Sequence, residues 1–269
     1  MTTTSKLRIG IHGAAGRMGL RLVALGMMDP DLQVAAAMEF ASHPDLGKDA
    51  GVLAGVGPIG VPLSSTVISD LQVVIDFSVP EATGHLLEAC LAKKIPLVIA
   101  TTGLSTQLKH RIGEAAETIP VVWSPSMSTA VNLAMRLAAV AAQTLQHYPG
   151  GADVEIIERH HRFKEDAPSG TALRFGEIIT NIMGQTTPRH GRQGMTGKRP
   201  RHEIGYHALR VGDNPGEHTI VFGMLGETLE VTVRATNRDC YATGALQAAK
   251  FAARQQPGLY SMYDVLGIH

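Results

Sequence analysis

The stretch LRIGIHGAAGRMGLRLVAL, residues 7–25, decides the fold. An apolar strand over Leu7 to Ile11 runs into Gly13-Ala14-Ala15-Gly16-Arg17-Met18-Gly19, and an apolar helical pattern continues through Leu22 and Leu25. Glycines in a strand-to-helix turn let the backbone approach a pyrophosphate, whose charge the free N–H groups of the helix start can hold. The turn alone is weak evidence, because caps and tight turns also select glycine. A second strand, Gln33 to Met38, strengthens it by ending in Glu39, about twenty residues past the turn, where an acidic side chain bonds a ribose hydroxyl. Strand, turn, helix, strand and acid in that order point to a dinucleotide. The spacing is GxxGxxG, with Ala15 in place of the middle glycine of the common fingerprint. Arg17 offers a charge for an adenosine 2′-phosphate, whereas Glu39 bonds a free 2′-hydroxyl and repels that phosphate, and Phe40 adds no positive charge. The cofactor is therefore expected to be NADH or NADPH, with NADH at least as good.

Outward from this turn, strands are expected at Val73 to Phe77, Leu97 to Ala100 and Val121 to Trp123, with helices over Glu81 to Lys93 and Ser105 to Glu117. Strands alternating with helices build a doubly wound parallel sheet. The expected fold class is α/β: an N-terminal Rossmann dinucleotide-binding domain over residues 1–130, then a C-terminal α+β domain with an open mixed sheet. An amphipathic stretch from Val131 to His147 leads to Tyr148-Pro149-Gly150-Gly151, which punctuates the chain. The second domain, 131–240, then reads as a strand over Val154 to His160, a helix over Gly170 to Met183 and a loop from Gly184 to Pro200. Strands follow at His202 to Arg210, His218 to Met224 and Thr228 to Ala235. A last helix, Ala242 to Arg254 within 241–269, is expected to return to the first domain.

Composition excludes several classes. With 44% hydrophobic and 18% charged residues in 269, the chain can bury a sizeable core. Its 24 basic and 24 acidic residues cancel, so no net field draws it to nucleic acid or an anionic membrane, and a small-molecule partner is expected. Met1 to Lys6 is polar, and apolar runs such as Leu32 to Met38 fall short of the roughly 20 residues that span a bilayer. Cys90 and Cys240, without CxxC spacing, read as buried thiols in a reducing, cytoplasmic compartment. Arg189, Arg192, Lys198, Arg199 and Arg201 read as a mobile, solvated loop near an anionic substrate rather than a nucleic-acid surface. Trp123 reads as core packing.

The reactive side chains concentrate in Glu158-Arg159-His160-His161-Arg162-Phe163-Lys164-Glu165-Asp166-Ala167-Pro168-Ser169-Gly170-Thr171. If the strand stays extended through His161, the two histidines project to opposite faces and are poorly arranged to share a metal, so none is expected. A histidine of ordinary pKa, about 6.5, can supply a proton at neutral pH, and a lysine ammonium can anchor or protonate an anion. Pro168-Ser169-Gly170-Thr171 opens a helix whose free N–H groups form a carboxylate-sized anion site, suited to a small dicarboxylate. The plainer alternative has Ser169 only capping the helix, Asp166 only pairing with a cation, and the histidines only solvated.

Glu158 to Ala172 resembles the signature of the 4-hydroxy-tetrahydrodipicolinate (dihydrodipicolinate) reductase family, E-x-H-H-x-x-K-x-D-A-P-S-G-T-A. The resemblance extends in the family's order over Gly13 to Gly19, Val74-Ile75-Asp76-Phe77-Ser78, Ala100-Thr101-Thr102-Gly103 and Ser124 to Asn132. It implies a homotetrameric oxidoreductase of the diaminopimelate route to lysine, which uses NAD(P)H to convert the hydroxylated cyclic condensation product of aspartate semialdehyde and pyruvate to tetrahydrodipicolinate. On this resemblance Gly13, Ala14, Ala15, Gly16, Arg17, Met18, Glu39, Ala100, Thr101, Thr102, Ser124, Pro125, Ser126 and Met127 line the cofactor. His160 is the implied proton donor. Lys164 is a second donor that also holds substrate, with His161, Ser169, Gly170 and Thr171 at its carboxylates. Departures fall at Ala100 and Ala130, where the family commonly has glycine, at Ser126, where it has asparagine, and at Phe40, where an arginine often stands. Two alternatives stay open: a non-catalytic dinucleotide sensor, or another nicotinamide-dependent enzyme acting on aspartate-derived metabolites.

Overall fold

A computed structural model describes residues 5–68 and 70–268. The chain forms two compact units, one of residues up to Thr129 together with those from Arg238 onward, the other Ala130–Asn237. In chain order the elements are β1 (Leu7–His12), α1 (Arg17–Met28), β2 (Leu32–Met38), α2 (Ala50–Leu53), β3 (Leu63–Ser64), β4 (Val73–Asp76), α3 (Pro80–Lys93), β5 (Leu97–Ile99), α4 (Thr106–Ala116) and β6 (Pro120–Trp123). Then come α5 (Thr129–Leu145), β7 (Asp153–His160), α6 (Gly170–Met183), β8 (Thr187–His190), β9 (Glu203–Arg210), β10 (Glu217–Met224) and β11 (Glu227–Arg234). The chain closes with α7 (Asp239–Ala252), β12 (Gly258–Tyr260) and α8 (Met262–Leu266).

The first unit is a parallel sheet in the order β12-β6-β5-β4-β1-β2-β3. Strands such as Val73–Asp76 and Leu97–Ile99 are buried throughout, because helices cover both faces of a parallel sheet and no strand face can be polar. On one side Leu22 and Val23 of α1 and Ala245, Leu246 and Ala249 of α7 pack over Ile9 and Ile11. On the other, Leu86, Leu87 and Cys90 of α3 and Ile112 of α4 pack over Val74, Leu97 and Val121. Strand order reverses between β1 and β4, and a crevice opens at the carboxyl ends of the strands at such a switch point.

The second unit is a mixed sheet in the order β11-β10-β7-β9-β8. Central β7 runs antiparallel to β10 and parallel to β9. Its burial alternates, with Val154, Ile156, Glu158 and His160 on the inner face. The fully buried Phe175 of α6 and Phe222 of β10 belong to the same core, each contributing about 1.5–3 kcal/mol by leaving water.

Several details depart from the sequence reading. The Gly184–Pro200 segment is not all loop: β8 pairs in parallel with β9. Nor is it a solvated basic loop throughout, since Arg192 pairs with Glu155 (2.7 Å) and Glu203, and Arg199 with Asp153 (2.7 Å) and Glu155 (3.1 Å). Burial pushes the Glu155 carboxyl up, but hydrogen bonds from Arg192, His207 and Arg199 outweigh it and bring it to about 2. Short α2, β3, β12 and α8 also lie outside the reading. Three residues or so of strand carry too little periodicity to stand out, and α2 depends on Asp49, whose carboxylate accepts from Gly51, Val52, Ile59 and Gly60. Cys90 is buried and burial pushes its thiol up to about 12, whereas Cys240 is only half-buried. Trp123 is part-buried against the second core cluster, with the Lys109 ammonium 6.0 Å from its ring.

Candidate active site

A cleft of about 710 Å³ opens in the first unit, lined by His12, Gly13, Gly16, Glu39, Phe40 and Ser78 among others. The glycine turn is sterically obligatory: Gly13 has φ +75°, and a Cβ on Gly19 would lie 2.1 Å from the Gly13 carbonyl oxygen. α1 starts at Arg17 with Gly16 as its N-cap and no capping side chain, so no cap takes the N–H groups of its first turn from an anion. Glu39 leaves β2 beside the turn, and its Oε1 accepts from the Ala15 N–H at 3.0 Å. Phe40 is 58% exposed and sits edge-on to His43.

A buried carboxylate that sequence reasoning passed over organises this cleft. Asp76, at the end of β4 and fully buried, accepts from the hydroxyls of Ser78 (2.6 Å), Thr83 (2.6 Å) and Thr101 (2.8 Å) and pairs with His12 Nδ1 (2.7 Å). Thr101 is thereby oriented, its Oγ1 also accepting from the Ser78 N–H. Thr102 stays exposed next to it. Ala100 has an ordinary negative φ, so its methyl replaces a glycine hydrogen without backbone strain. In the Ser124–Met127 segment, Ser124 Oγ donates to the Ser126 carbonyl (2.8 Å), and Ser126 Oγ accepts from the Ser128 N–H. The serine that departs from asparagine thus holds its own loop.

The second unit assembles a denser polar cluster. Glu158, 1% exposed, shares Oε2 between His160 Nδ1 (2.6 Å) and Arg210 Nη1 (2.8 Å). Its Oε1 accepts from Arg210 Nη2 (2.8 Å) and the Ser169 N–H (3.0 Å). Arg210 also donates to the carbonyls of Leu209 and Asp166. Sheet register brings these groups together, with Arg210 opposite His160 on β9 and His218 opposite Glu158 on β10. Burial pushes the His160 imidazole below the ordinary value, against the pull of Glu158 and with help from Lys164 and Arg210. Burial also brings His218 down to about 4, so at neutral pH its ring is uncharged. Burial alone would raise Glu158, but the Arg210 and His160 bonds leave it below the usual carboxylate range.

Lys164 Nζ contacts Asp166 at 2.7 Å, and that bond holds Asp166 below the usual range. Ser169, 2% exposed, caps α6 by accepting from the Ala172 N–H (3.2 Å) and meets His218 Nε2 at 3.0 Å. Its polar atoms are committed within the fold. Gly170 and Thr171, at the open end of α6, are the N–H groups left for an anion. His161 lies just past β7, and its Nδ1 is buried without a hydrogen-bond partner among the described residues. Glu158, Arg210 and His218 were not singled out from the sequence. Only the spacing of Glu158 two residues before His160, one strand face, signalled one of them.

Residues 7–127 match the sequence profile described as dihydrodipicolinate reductase, N-terminus, and residues 130–266 the one described as dihydrodipicolinate reductase, C-terminus. A protein named 4-hydroxy-tetrahydrodipicolinate reductase from Rhodopirellula baltica is 57% identical, over 99% of this chain and 98% of its own length. A relative of the same name from Hahella chejuensis is 45% identical over 97% and 99%. Among solved structures, dipicolinate-bound dihydrodipicolinate reductase from Paenisporosarcina sp. TG-14 superposes with TM-score 0.76 at 22% identity, covering 96% of this chain and 98% of that one. An amine dehydrogenase from Mycobacterium smegmatis shares the fold at TM-score 0.66 and 11% identity, covering 97% and 96%.

Proposed function

The chain belongs to the dihydrodipicolinate reductase family, and from that premise we propose that it reduces 4-hydroxy-tetrahydrodipicolinate to tetrahydrodipicolinate, in the diaminopimelate route to lysine, with NADH or NADPH. The observation that carries the reading is the joining of a buried histidine to the start of α6 through Glu158, with Lys164, paired to Asp166, on the loop between them. The residues of the first unit fit a dinucleotide: side-chain-free glycines, an uncapped helix start and a cleft large enough for part of it. Gly13 to Met18 hold the pyrophosphate, Glu39 the ribose, and Ala100 to Thr102 with Ser124 to Met127 the nicotinamide end. A bound nicotinamide supplies a hydride.

The rest of the chemistry falls to the second unit. Gly170, Thr171, His161 and Lys164 hold the two substrate carboxylates. After loss of the substrate hydroxyl as water, hydride addition to the ring carbon conjugated with the imine leaves an enamine. His160 protonates it, and Lys164 balances charge on the dianion. Free enzyme should lose kcat/KM as pH rises through a value below 6.5, because burial lowers His160. The limb in kcat should lie higher, because bound carboxylates favour the imidazolium.

Glu39, with uncharged Phe40 beside it, supports use of NADH at least as well as NADPH. A homotetramer is proposed on the family resemblance, with Ile157 and Leu209 exposed among Arg159 and His207 on the outer sheet face. Light scattering on the purified protein measures its mass. No helix among the described residues is long and apolar enough to cross a membrane, and the free thiols of Cys90 and Cys240 support a cytoplasmic location.

The test is oxidation of NADH and NADPH in the near ultraviolet, with substrate made in place from pyruvate and aspartate semialdehyde by the preceding synthase. Oxidation that depends on the synthase supports the reading. NADH binding without oxidation favours the sensor or another aspartate-derived substrate.

A further inference from the structure

We propose that Glu158 is a positioning residue for proton transfer: its carboxylate holds His160 by Nδ1, assigning Nε2 as the ring nitrogen that exchanges protons with substrate, while Arg210 clamps the carboxylate. The proposal rests on the reading of His160 as the proton donor.

A carboxylate with 1% exposure is costly unless paired, and Arg210 with the Ser169 N–H would already satisfy it. The short bond to His160 is the contact that balance does not require. A carboxylate can only accept, so the proton of the neutral ring sits on Nδ1. Nε2 makes no hydrogen bond among the described residues. The ring is further fixed by His218, edge-on at 5.2 Å and itself tied to Ser169 Oγ. Around His160 stand Glu158 on β7, Lys164 and Asp166 on the following loop, Arg210 on β9 and His218 on β10. Burial, Lys164 and Arg210 all disfavour the imidazolium, and Glu158 is the group that favours it. In the transfer, the Nε2–H bond breaks, its electron pair stays on the ring, the proton bonds to the substrate carbon, and Nδ1–H stays on Glu158. Solvent then reprotonates Nε2.

Nitrogen-15 NMR of histidine-labelled protein and pH profiles of Glu158→Gln test this together. Wild type should show the Nδ1–H tautomer for neutral His160. In Glu158→Gln the limb on which kcat/KM falls with rising pH should move to lower pH by about one unit, so that activity falls about tenfold at pH 7.5 and the gap to wild type closes only well below that limb. Unchanged NADH affinity shows that the variant is folded. An Nε2–H tautomer in wild type, or superposable pH profiles, overturns the proposal, and the tautomer decides even if the variant does not fold. Unchanged kcat in His160→Ala would instead sink the assignment of the donor, a separate result.

Discussion

Asp76 ends β4 in the first unit, and Glu158 lies near the end of β7 in the second. Both are inaccessible to solvent, yet they are satisfied differently. Asp76 takes three hydroxyls and one imidazole, and its partners Ser78 and Thr101 belong to the loops around the glycine turn. Glu158 takes a guanidinium fork, a backbone N–H and one imidazole. Short neutral donors order a loop without changing its charge, which suits a surface that must present N–H groups to an anion. A charge-balanced carboxylate can stabilise the protonated form of a neighbour, which suits a site that moves a proton. One buried acid shapes, and the other tunes.

The sharpest break between the regions should come from His160→Ala. We expect kcat to fall about 10²–10⁴-fold with the dissociation constant for NADH unchanged, measured by steady-state kinetics and fluorescence titration. A matching loss of NADH affinity would mean the two clusters are not separable. Asp76→Asn should do the converse. An amide oxygen cannot receive four donors, so stability should drop by about 2–4 kcal/mol in urea and NADH should bind about tenfold more weakly. The pH position of the catalytic limb should stay put.

A third test probes the second cluster alone. Burial, with the charges of His160 and Lys164, brings His218 from 6.5 down to about 4, so the unfolded chain takes the proton first. Stability from this group is therefore complete above pH 6.5 and lost as pH falls toward 4, by at most about 1.4 kcal/mol per pH unit. Urea midpoints across that window should slope less steeply in His218→Gln than in wild type, and equal slopes would contradict the neutral buried ring. The smallest effect is expected at Phe40→Arg, where a guanidinium beside the ribose site should raise the NADPH-to-NADH ratio of kcat/KM by about tenfold. No change there would mean that position 40 does not face the 2′ position.

Much was legible from the sequence because it was local. The glycine turn, the Glu39 spacing and the run from Glu158 to Thr171 each lie within one strand-loop-helix unit, where backbone periodicity and helix starts follow from neighbouring residues. The parallel sheet was legible too, since its strands are apolar on both faces. Arg192 and Arg199 were misread because two of the carboxylates they share, Glu155 and Asp153, lie more than thirty residues away on β7. Without those partners, a stretch of arginines and glycines looks solvated.

By itself, then, the sequence determined a dinucleotide turn, a βα alternation and a histidine-lysine segment leading into a helix start. Only the tertiary structure decided which acids matter. The registers that set Arg210 opposite His160 and His218 opposite Glu158 join strands about fifty to sixty residues apart. The same is true of Asp76, whose meaning comes from β1, α3 and the loop after β5 converging on it. A buried carboxylate is chemically defined by the donors around it, and those donors are brought by pairing and packing that no local pattern encodes.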